Sequence, residues 1–286
     1  MKIALIGLGY WGKIILKNLR SMGYNNIVIC EKQKVNFDEL GSKYQVVKDY
    51  KKLKNIDKVF VLTPASTHYN ICEHFLRKGV DVFCEKPLCL EVSETQKLYN
   101  IARENSSKLF VDWIFTFNEQ LQFIKNCIST DQFGDLYSVT LNRLNFGPAR
   151  SDVNARIDLA SHDLSILFWL FEDADLKSVN WLDYKNNDDS ETDDSTIGVL
   201  KFSKFAAIIN ASWHYPTKNR DCVFAFEKGI LEWDDTTKKV TFNGESMNVP
   251  PGHSPLEASI LTFFNVSESI MKEQEKLTYR ITGLLK

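Results

Sequence analysis

Apolar residues are arranged in two different patterns along this chain, and the change falls near residue 117. Before it, short apolar runs recur between longer amphipathic segments. Runs of this length are typical of buried β-strands, and the segments between them are typical of helices that cover a parallel sheet. The runs are Lys2–Ile6, Ile27–Cys30, Val59–Leu62, Val80–Cys84 and Leu109–Val111. Residues 1–117 are therefore predicted to form a doubly wound α/β domain.

After residue 117 the pattern predicts a second domain, residues 118–286. Glu119–Ser129 and the strongly apolar stretch Leu159–Phe171 have helical character. The other apolar runs are strand-like, and short links such as Ser203-Lys204 and Lys228-Gly229 predict hairpins, hence antiparallel pairing. The predicted strands are Leu136–Leu144, Thr196–Phe202, Phe205–Trp213, Cys222–Phe226 and Ile230–Trp233.

Composition narrows the class of protein. The chain has 286 residues, 44% hydrophobic and 25% charged, with a net charge of −2. The chain has no excess of basic residues that would indicate nucleic-acid binding. The N-terminal apolar stretch is too short for a membrane span, and no signal-peptide cleavage site follows it. Six cysteines at irregular spacings are predicted to be reduced core residues and not a disulfide framework or a metal site. We therefore expect a cytoplasmic protein.

The most specific motif is Gly-Leu-Gly-Tyr-Trp-Gly at residues 7–12, directly after the first predicted strand. Gly7 permits a tight bend, Gly9 lets the backbone approach a phosphate, and Gly12 allows close packing of helix on strand. The N-terminus of the following helix faces the negative charge. The second strand ends in Glu31, where a carboxylate accepts hydrogen bonds from the adenosine ribose. These features predict a Rossmann domain that binds a dinucleotide.

Glu31 also bears on the choice of cofactor. A carboxylate near the ribose 2′-position repels the extra phosphate of NADP, so NAD is favoured. NADP stays open, because Lys32 and Lys34 lie close by and a basic side chain can swing onto a 2′-phosphate.

Two later strands end in polar residues, at the sheet edge where open α/β sheets bind ligands. Thr63 and Pro64 follow the third run and are expected to line the cofactor cleft. His68 either contacts ribose or nicotinamide or caps the next helix. The fourth run leads into Cys-Glu-Lys-Pro at residues 84–87, which would point the Lys86 ammonium into the cleft, although most lysines are simply solvated.

Asp158 and His162 lie four residues apart at the start of the apolar helix, so they can project from one helical face. The pair suits acid–base chemistry, since histidine titrates near neutrality and a carboxylate can orient its ring. In the alternative interpretation Asp158 caps the helix and His162 packs in the core. The residues alone slightly favour that alternative.

These motifs together, in this order and at these separations, resemble the Gfo/Idh/MocA family of NAD(P)-dependent oxidoreductases over nearly the whole chain. Asn145–Asn154 and Ser212–Arg220 are most similar to the branch that acts on nucleotide-linked sugars. The resemblance implies a Rossmann domain followed by an α/β domain with an open, mostly antiparallel sheet for substrate binding and oligomerisation. It also implies that Lys86 and His162 are catalytic and that Asp158 assists.

The resemblance implies hydride transfer between nicotinamide and a ring carbon of a sugar, with a nucleotide-linked sugar favoured, by a homo-oligomer. A dehydrogenase of free polyols or inositol, or a non-catalytic NAD-binding sensor, is the alternative. Arg150, Lys218 and Arg220 suit an anionic substrate, although each could be a surface ion-pair partner, and Asn154 belongs to the same set. The expected cofactor-binding residues are Gly7, Gly9, Tyr10, Trp11, Gly12, Glu31, Thr63, Pro64, His68, Glu85 and Lys86.

One departure from the family concerns Val111-Asp112-Trp113, which stands where many relatives carry a small residue and a polar partner. We expect an altered cleft floor there.

Overall fold

The computed structural model describes residues 1–36, 40, 44–147, 150, 152–186 and 191–285. The chain forms two compact units. Unit one comprises Met1–Trp113 and Leu256–Leu284, and unit two comprises Ile114–Pro255. This differs from the predicted division, which placed all of residues 118–286 in one domain.

The elements agree closely with the predicted pattern where the apolar runs are strong. The helices are α1 (Tyr10–Ser21), α2 (His68–Leu76), α3 (Val92–Glu104), α4 (Glu119–Ser129), α5 (Ser161–Leu170), α6 (Pro255–Phe264) and α7 (Glu268–Leu284). The strands of unit one are β1 (Ile3–Ile6), β2 (Ile27–Cys30), β3 (Gln45–Val47), β4 (Lys58–Val61), β5 (Asp81–Cys84) and β6 (Leu109–Val111). Those of unit two are β7 (Leu136–Phe146), β8 (Leu176–Tyr184), β9 (Ser195–Phe202), β10 (Ala206–Ser212), β11 (His214–Phe226), β12 (Gly229–Asp234), β13 (Lys239–Phe242) and β14 (Glu245–Ser246).

Unit one is built on a six-stranded sheet in the order β3-β2-β1-β4-β5-β6, and all its strand pairs are parallel. The strand order reverses at β1, which opens a crevice at the carboxyl ends of β1 and β4. Ile6 pairs with Cys30 on one side and with Val61 on the other. Gly7, Glu31 and Leu62 therefore leave the sheet at the same level. The predicted parallel Rossmann sheet is confirmed.

Helices α6 and α7 complete unit one through buried polar contacts. The Ser259 hydroxyl donates to Asp112 Oδ1 at 2.6 Å. The Thr278 hydroxyl oxygen accepts from Trp113 Nε1 at 2.9 Å and from the Tyr99 hydroxyl at 3.2 Å. Asp112 and Trp113 thus hold the last helices onto the sheet, where the sequence predicted an altered cleft floor. Burial raises the pKa of Asp112 to about 7.

An aromatic cluster covers the same side of the sheet. The ring of Phe263, on α6, lies 5.4 Å from that of Phe60, 5.6 Å from that of Phe83 and 5.8 Å from that of Phe110. All four side chains are fully buried. The apolar face of α6 therefore forms part of the core of unit one.

Unit two is built on an eight-stranded sheet in the order β14-β13-β12-β11-β7-β10-β9-β8. Among the described strands of this sheet, every pair is antiparallel except β10 with β7, so the predicted, mostly antiparallel sheet is confirmed. One face carries the buried residues, among them Leu141, Ile209 and Phe224. The opposite face presents Val199 and Ile208, which are cross-strand neighbours, to solvent.

All six cysteines are buried and carry free thiols. Within the described ranges, no helix combines the length and the apolar character that a membrane crossing needs.

Candidate active site

The glycine loop of unit one has the geometry that its sequence predicts. Gly7 has a φ of +92°, and a Cβ there would lie 2.7 Å from the carbonyl oxygen of Leu62. A Cβ on Gly12 would overlap the carbonyl oxygen of Gly7. A Cβ on Gly9 would meet no heavy atom within 4 Å. The fold itself therefore requires Gly7 and Gly12, whereas Gly9 leaves open space over the loop, as backbone approach to a ligand requires.

Helix α1 begins directly after this open space. Gly9 is its N-cap and no side chain caps the first turn. Backbone N–H groups and the positive end of the helix dipole therefore suit an anionic group. The Trp11 indole N–H is buried and has no hydrogen-bond partner among the described residues. These features fit the pyrophosphate and ribose of a dinucleotide.

Glu31 is fixed at the end of β2 by two backbone donors. The Leu8 N–H donates to Oε2 at 2.7 Å, and the Gln33 N–H donates to Oε1 at 3.0 Å. The carboxylate is thus held beside the glycine loop, where the sequence predicts the adenosine ribose.

The glycine loop and Glu31 line one cleft of about 790 Å³ at the carboxyl ends of β1, β2 and β4. That volume is typical of a cofactor or small-molecule site. Thr63 and Pro64 line it, and the Thr63 and Thr67 hydroxyls are hydrogen-bonded at 2.6 Å. The cleft is also lined by four lysines, which outnumber the Glu31 carboxylate and keep NADP open as a second cofactor. These are Lys13, Lys32, Lys34 and Lys48.

His68 connects two loops at the edge of this sheet. Its side chain is 1% exposed, with Nδ1 2.8 Å from the carbonyl oxygen of Pro87 and Nε2 2.7 Å from that of Thr63. Thr67 is the N-cap of α2 and makes no side-chain cap. His68 thus ties the loop that follows Lys86 to the loop that lines the cleft.

Lys86 is the second residue after the carboxyl end of β5, in unit one. The preceding Glu85 N–H donates to the carbonyl oxygen of Val61 at 3.0 Å, and the Lys86 N–H donates to Glu85 Oε2 at 3.2 Å. Lys86 is half-buried, and its peptide bond to Pro87 is cis.

Asp158 and His162 belong to unit two, on one continuous helical segment with two geometries. Arg156–Ala160 forms a π-helical turn, and α5 begins at Ser161. Asp158 therefore lies in the wider turn and His162 in the first turn of the α-helix. The sequence predicted α-helical spacing throughout. Single π-turns occur frequently at functional sites.

The segment before the π-turn carries two of the expected substrate residues. Arg150 donates to Asp152 Oδ2 at 2.8 Å and to Asp158 Oδ1 at 3.3 Å. Asn154 Oδ1 accepts from the Ile157 N–H at 2.9 Å. In this structure Arg150 thus has the ion-pair role that the sequence left open, and Asn154 stabilises the turn that carries Asp158.

Three residues that the sequence analysis missed form a connected set beside His162, and we call Phe115, Arg143 and Asp163 the His162 clamp. Arg143 donates to Asp163 through Nε at 3.0 Å and Nη2 at 2.8 Å, and both side chains are buried. The guanidinium carbon lies 4.5 Å from the centroid of Phe115. The Phe115 and His162 rings meet edge-on, with centroids 5.1 Å apart and an angle of 80°. The sequence does contain a signal for this pair: Arg143 lies inside a predicted apolar strand, and Asp163 lies inside the apolar helix.

Arg220 lies beside the clamp, because it pairs with Arg143 in the β7–β11 ladder. Its Nη2 donates to Asn145 Oδ1 at 3.4 Å. Burial, and then the charge of Arg143, lower the pKa of Arg220. Lys218 is exposed on the same strand, next to a shift in register. Of the two predicted substrate residues on β11, Lys218 is exposed and Arg220 is half-buried beside Arg143 of the clamp.

Two family models match this chain. The model described as the oxidoreductase family, NAD-binding Rossmann fold, matches residues 1–113. The model described as the GFO/IDH/MocA C-terminal domain matches residues 121–232. Together they cover most of the chain.

Curated relatives match shorter stretches. UDP-N-acetylglucosamine 3-dehydrogenase from Acidithiobacillus ferrooxidans is 29% identical over 130 residues, 44% of this chain and 40% of that protein. Inositol 2-dehydrogenase from Rhizobium meliloti is 29% identical over 87 residues, 30% of this chain and 26% of that protein. The matches thus span less than half the length of either relative.

A solved structure matches the whole chain. KijD10, a 3-ketoreductase from Actinomadura kijaniata in complex with TDP-benzene and NADP, superposes with a TM-score of 0.86 at 19% identity, over 100% of this chain and 95% of that one. At this identity the likeness shows the fold.

Proposed function

Because this chain belongs to the Gfo/Idh/MocA family of oxidoreductases, we propose that it transfers hydride between a nicotinamide cofactor and a ring carbon of a nucleotide-linked sugar. The observation that carries this proposal is the cleft of unit one, where the glycine loop, the start of α1 and Glu31 fit a dinucleotide. When bound, the cofactor supplies the hydride chemistry. NAD is the proposed cofactor, and the four lysines that line the cleft support NADP as the second.

We propose that Lys86 and His162 are catalytic and that Asp158 assists. In the oxidative direction an imidazole nitrogen of His162 takes the proton of the substrate hydroxyl. The Lys86 ammonium stabilises the developing alkoxide by a charge-assisted hydrogen bond. The Asp158 carboxylate favours the imidazolium form of His162. Acid–base assistance of this kind accelerates reactions roughly 10²- to 10⁴-fold.

Arg220 supports an anionic sugar as the substrate. A half-buried guanidinium beside a second arginine is stabilised by an arriving phosphate or carboxylate. The relative from Acidithiobacillus ferrooxidans acts on a UDP-linked sugar by its name, which agrees with this choice. The inositol dehydrogenase relative supports free polyols as the second candidate. A non-catalytic sensor would not need Lys86, Asp158 and His162 together.

We also propose that the protein is a cytoplasmic homo-oligomer. The exposed sheet face of unit two carries apolar side chains on adjacent strands, and such patches are typical of protein interfaces. Leu182, Val199 and Ile208 lie on the neighbouring strands β8, β9 and β10, and Ile230 lies on the same face on β12. Buried free thiols are typical of a reducing compartment.

The test is a panel of nucleotide sugars and free polyols, assayed by the change in nicotinamide absorbance, with and without a keto acid that recycles the cofactor. We expect turnover on at least one nucleotide sugar. We also expect Arg220→Ala to raise KM for that sugar far more than for a free sugar. Rates on free polyols that match or exceed those on every nucleotide sugar, with no effect of Arg220→Ala, would favour the polyol candidate.

A further inference from the structure

His162 lies on a side-chain path that returns to its own helix. Asp163, the next residue of α5, binds Arg143 through two nitrogens, Arg143 lies on the face of Phe115, and Phe115 meets the imidazole edge-on. The backbone between His162 and Asp163 closes the path. A rotation of the imidazole is therefore opposed by the Phe115 ring, which the buried Arg143–Asp163 ion pair connects to the same turn of α5.

We propose that Phe115 is a positioning residue, whose ring sets the orientation of the His162 imidazole for proton transfer. This inference rests on the proposed catalytic role of His162. The imidazole is half-buried, and the torsion that turns a histidine ring about its Cβ–Cγ bond has a broad minimum. The backbone of α5 alone therefore does not fix the ring plane. An aromatic neighbour at 80° does, because turning the imidazole would separate the two rings or press them together.

Phe115 can act in this way because its own ring is held on more than one side. The Arg143 guanidinium lies over it at 4.5 Å, within the range of a cation–π contact. The Trp233 ring meets it at 6.0 Å and 76°. Arg143 in turn is held by Asp163, whose Oδ1 accepts from both Nε and Nη2, and both side chains are almost fully buried. Reorienting Phe115 would break its contact with the buried Arg143 guanidinium. The His162 clamp therefore restricts the motion of the Phe115 ring more than a solvent-exposed partner would.

The chain offers variants that separate positioning from packing. Phe115→Leu keeps an apolar side chain and removes the ring, and Phe115→Tyr keeps the ring. Phe205→Leu is the matched control: Phe205 is also a half-buried phenylalanine of unit two, and its ring contacts Phe202 at 4.3 Å and Phe171 at 5.3 Å. Among the described residues, the ring partners of Phe205 do not include His162.

The kinetic test compares kcat and KM of the full-length variants on a sugar that the wild type turns over. We expect Phe115→Leu to lower kcat by about 10- to 100-fold, because an ångström of misplacement at a reacting group costs about that much. KM for cofactor and sugar should change by less than about threefold, since neither is bound through this ring. Phe115→Tyr should keep kcat within about threefold of wild type. A folded Phe115→Leu variant with unchanged kcat, or an equal loss in Phe205→Leu, would overturn the inference.

A second measurement needs no turnover. The chain has five histidines, so the imidazole signals of ring-labelled histidine are few, and His162→Asn assigns the one of interest. In Phe115→Leu we expect the His162 signal to move and its ring to gain fast motion, whereas Phe115→Tyr and Phe205→Leu leave both unchanged. If the wild type turns over no sugar, the proposed function fails, and this experiment still decides whether Phe115 orders the ring. An imidazole as ordered in Phe115→Leu as in the wild type would refute positioning.

Discussion

Thr278→Val removes one hydroxyl from the interior of unit one and leaves the side-chain shape nearly unchanged. That hydroxyl accepts from Trp113 Nε1 and from the Tyr99 hydroxyl, and it donates to the carbonyl oxygen of Gln274 at 2.7 Å. Tyr99 is 2% exposed, and Trp113 and Thr278 are not exposed at all. Valine would therefore leave two donors buried without an acceptor.

Each buried donor that loses its partner costs about 1–3 kcal/mol. The Gln274 carbonyl keeps its helical position, so its loss of one donor adds little. We expect Thr278→Val to lower the free energy of unfolding of unit one by about 2–5 kcal/mol. Thr262→Val, on α6, is the matched control, since its hydroxyl donates to the Ala258 carbonyl oxygen in the same i to i−4 manner. It should cost less than about 1 kcal/mol.

The assay is hydrogen exchange of amides in β6 and α7, which reports on unit one separately from unit two. Adding Tyr99→Phe to the Thr278→Val variant removes one of the stranded donors, so the double variant should recover part of the loss. Equal stabilities of Thr278→Val and Thr262→Val would refute this reasoning, as would a double variant no more stable than Thr278→Val.

We expect three further outcomes, for the cofactor preference, for turnover and for the pH dependence of stability. Glu31→Ala should narrow the preference for NAD(H) over NADP(H) in a binding titration, and a wild-type preference for NADP(H) would contradict the role of the carboxylate. Lys86→Ala and His162→Ala should each lower kcat at least about a hundredfold with nearly normal cofactor affinity, and near-normal turnover in either variant would remove that residue from the mechanism. Asp112 has a pKa of about 7 because it is buried, well above that of an unfolded aspartate, so its proton stabilises the fold below about pH 4 and this contribution is lost as the pH rises towards 7. Denaturant unfolding at pH 4 to 8 should show that decline, and Asp112→Asn should flatten it, because an amide does not titrate.

Local pattern was sufficient for the elements that place the glycine loop. The bounds of β2, β6 and α4 agree with the predicted runs, because each is a continuous apolar stretch or a clear helical period. The strands β3, β8, β13 and β14 were missed, since they are short or carry many exposed residues and show little of the buried pattern. The predicted position of Gly7 and Glu31 also needed only spacing after a strand.

Side-chain contacts between residues that are distant in sequence could not be predicted from local pattern. Nothing near Arg143 indicates that Asp163 will neutralise it or that Phe115 will lie under its guanidinium, because these contacts join a turn, a strand and a helix. The packing of α6 and α7 on unit one could not be predicted for the same reason. Neither helix was predicted, and only their contacts with Asp112 and Trp113 show which unit they complete.

Unit one is discontinuous in sequence, with unit two inserted between its two segments. On the ribosome, residues 114–255 are all synthesised before α6 and α7 exist. The second unit therefore has its whole sequence available while the first still lacks the helices that cover Phe60, Phe83 and Phe110. An exposed aromatic surface of this kind on a nascent chain is the sort that chaperones bind and that promotes aggregation. Helices α6 and α7 thus complete the core of unit one only after unit two has been synthesised, and damage to them would reduce the yield of folded protein before it reduced activity.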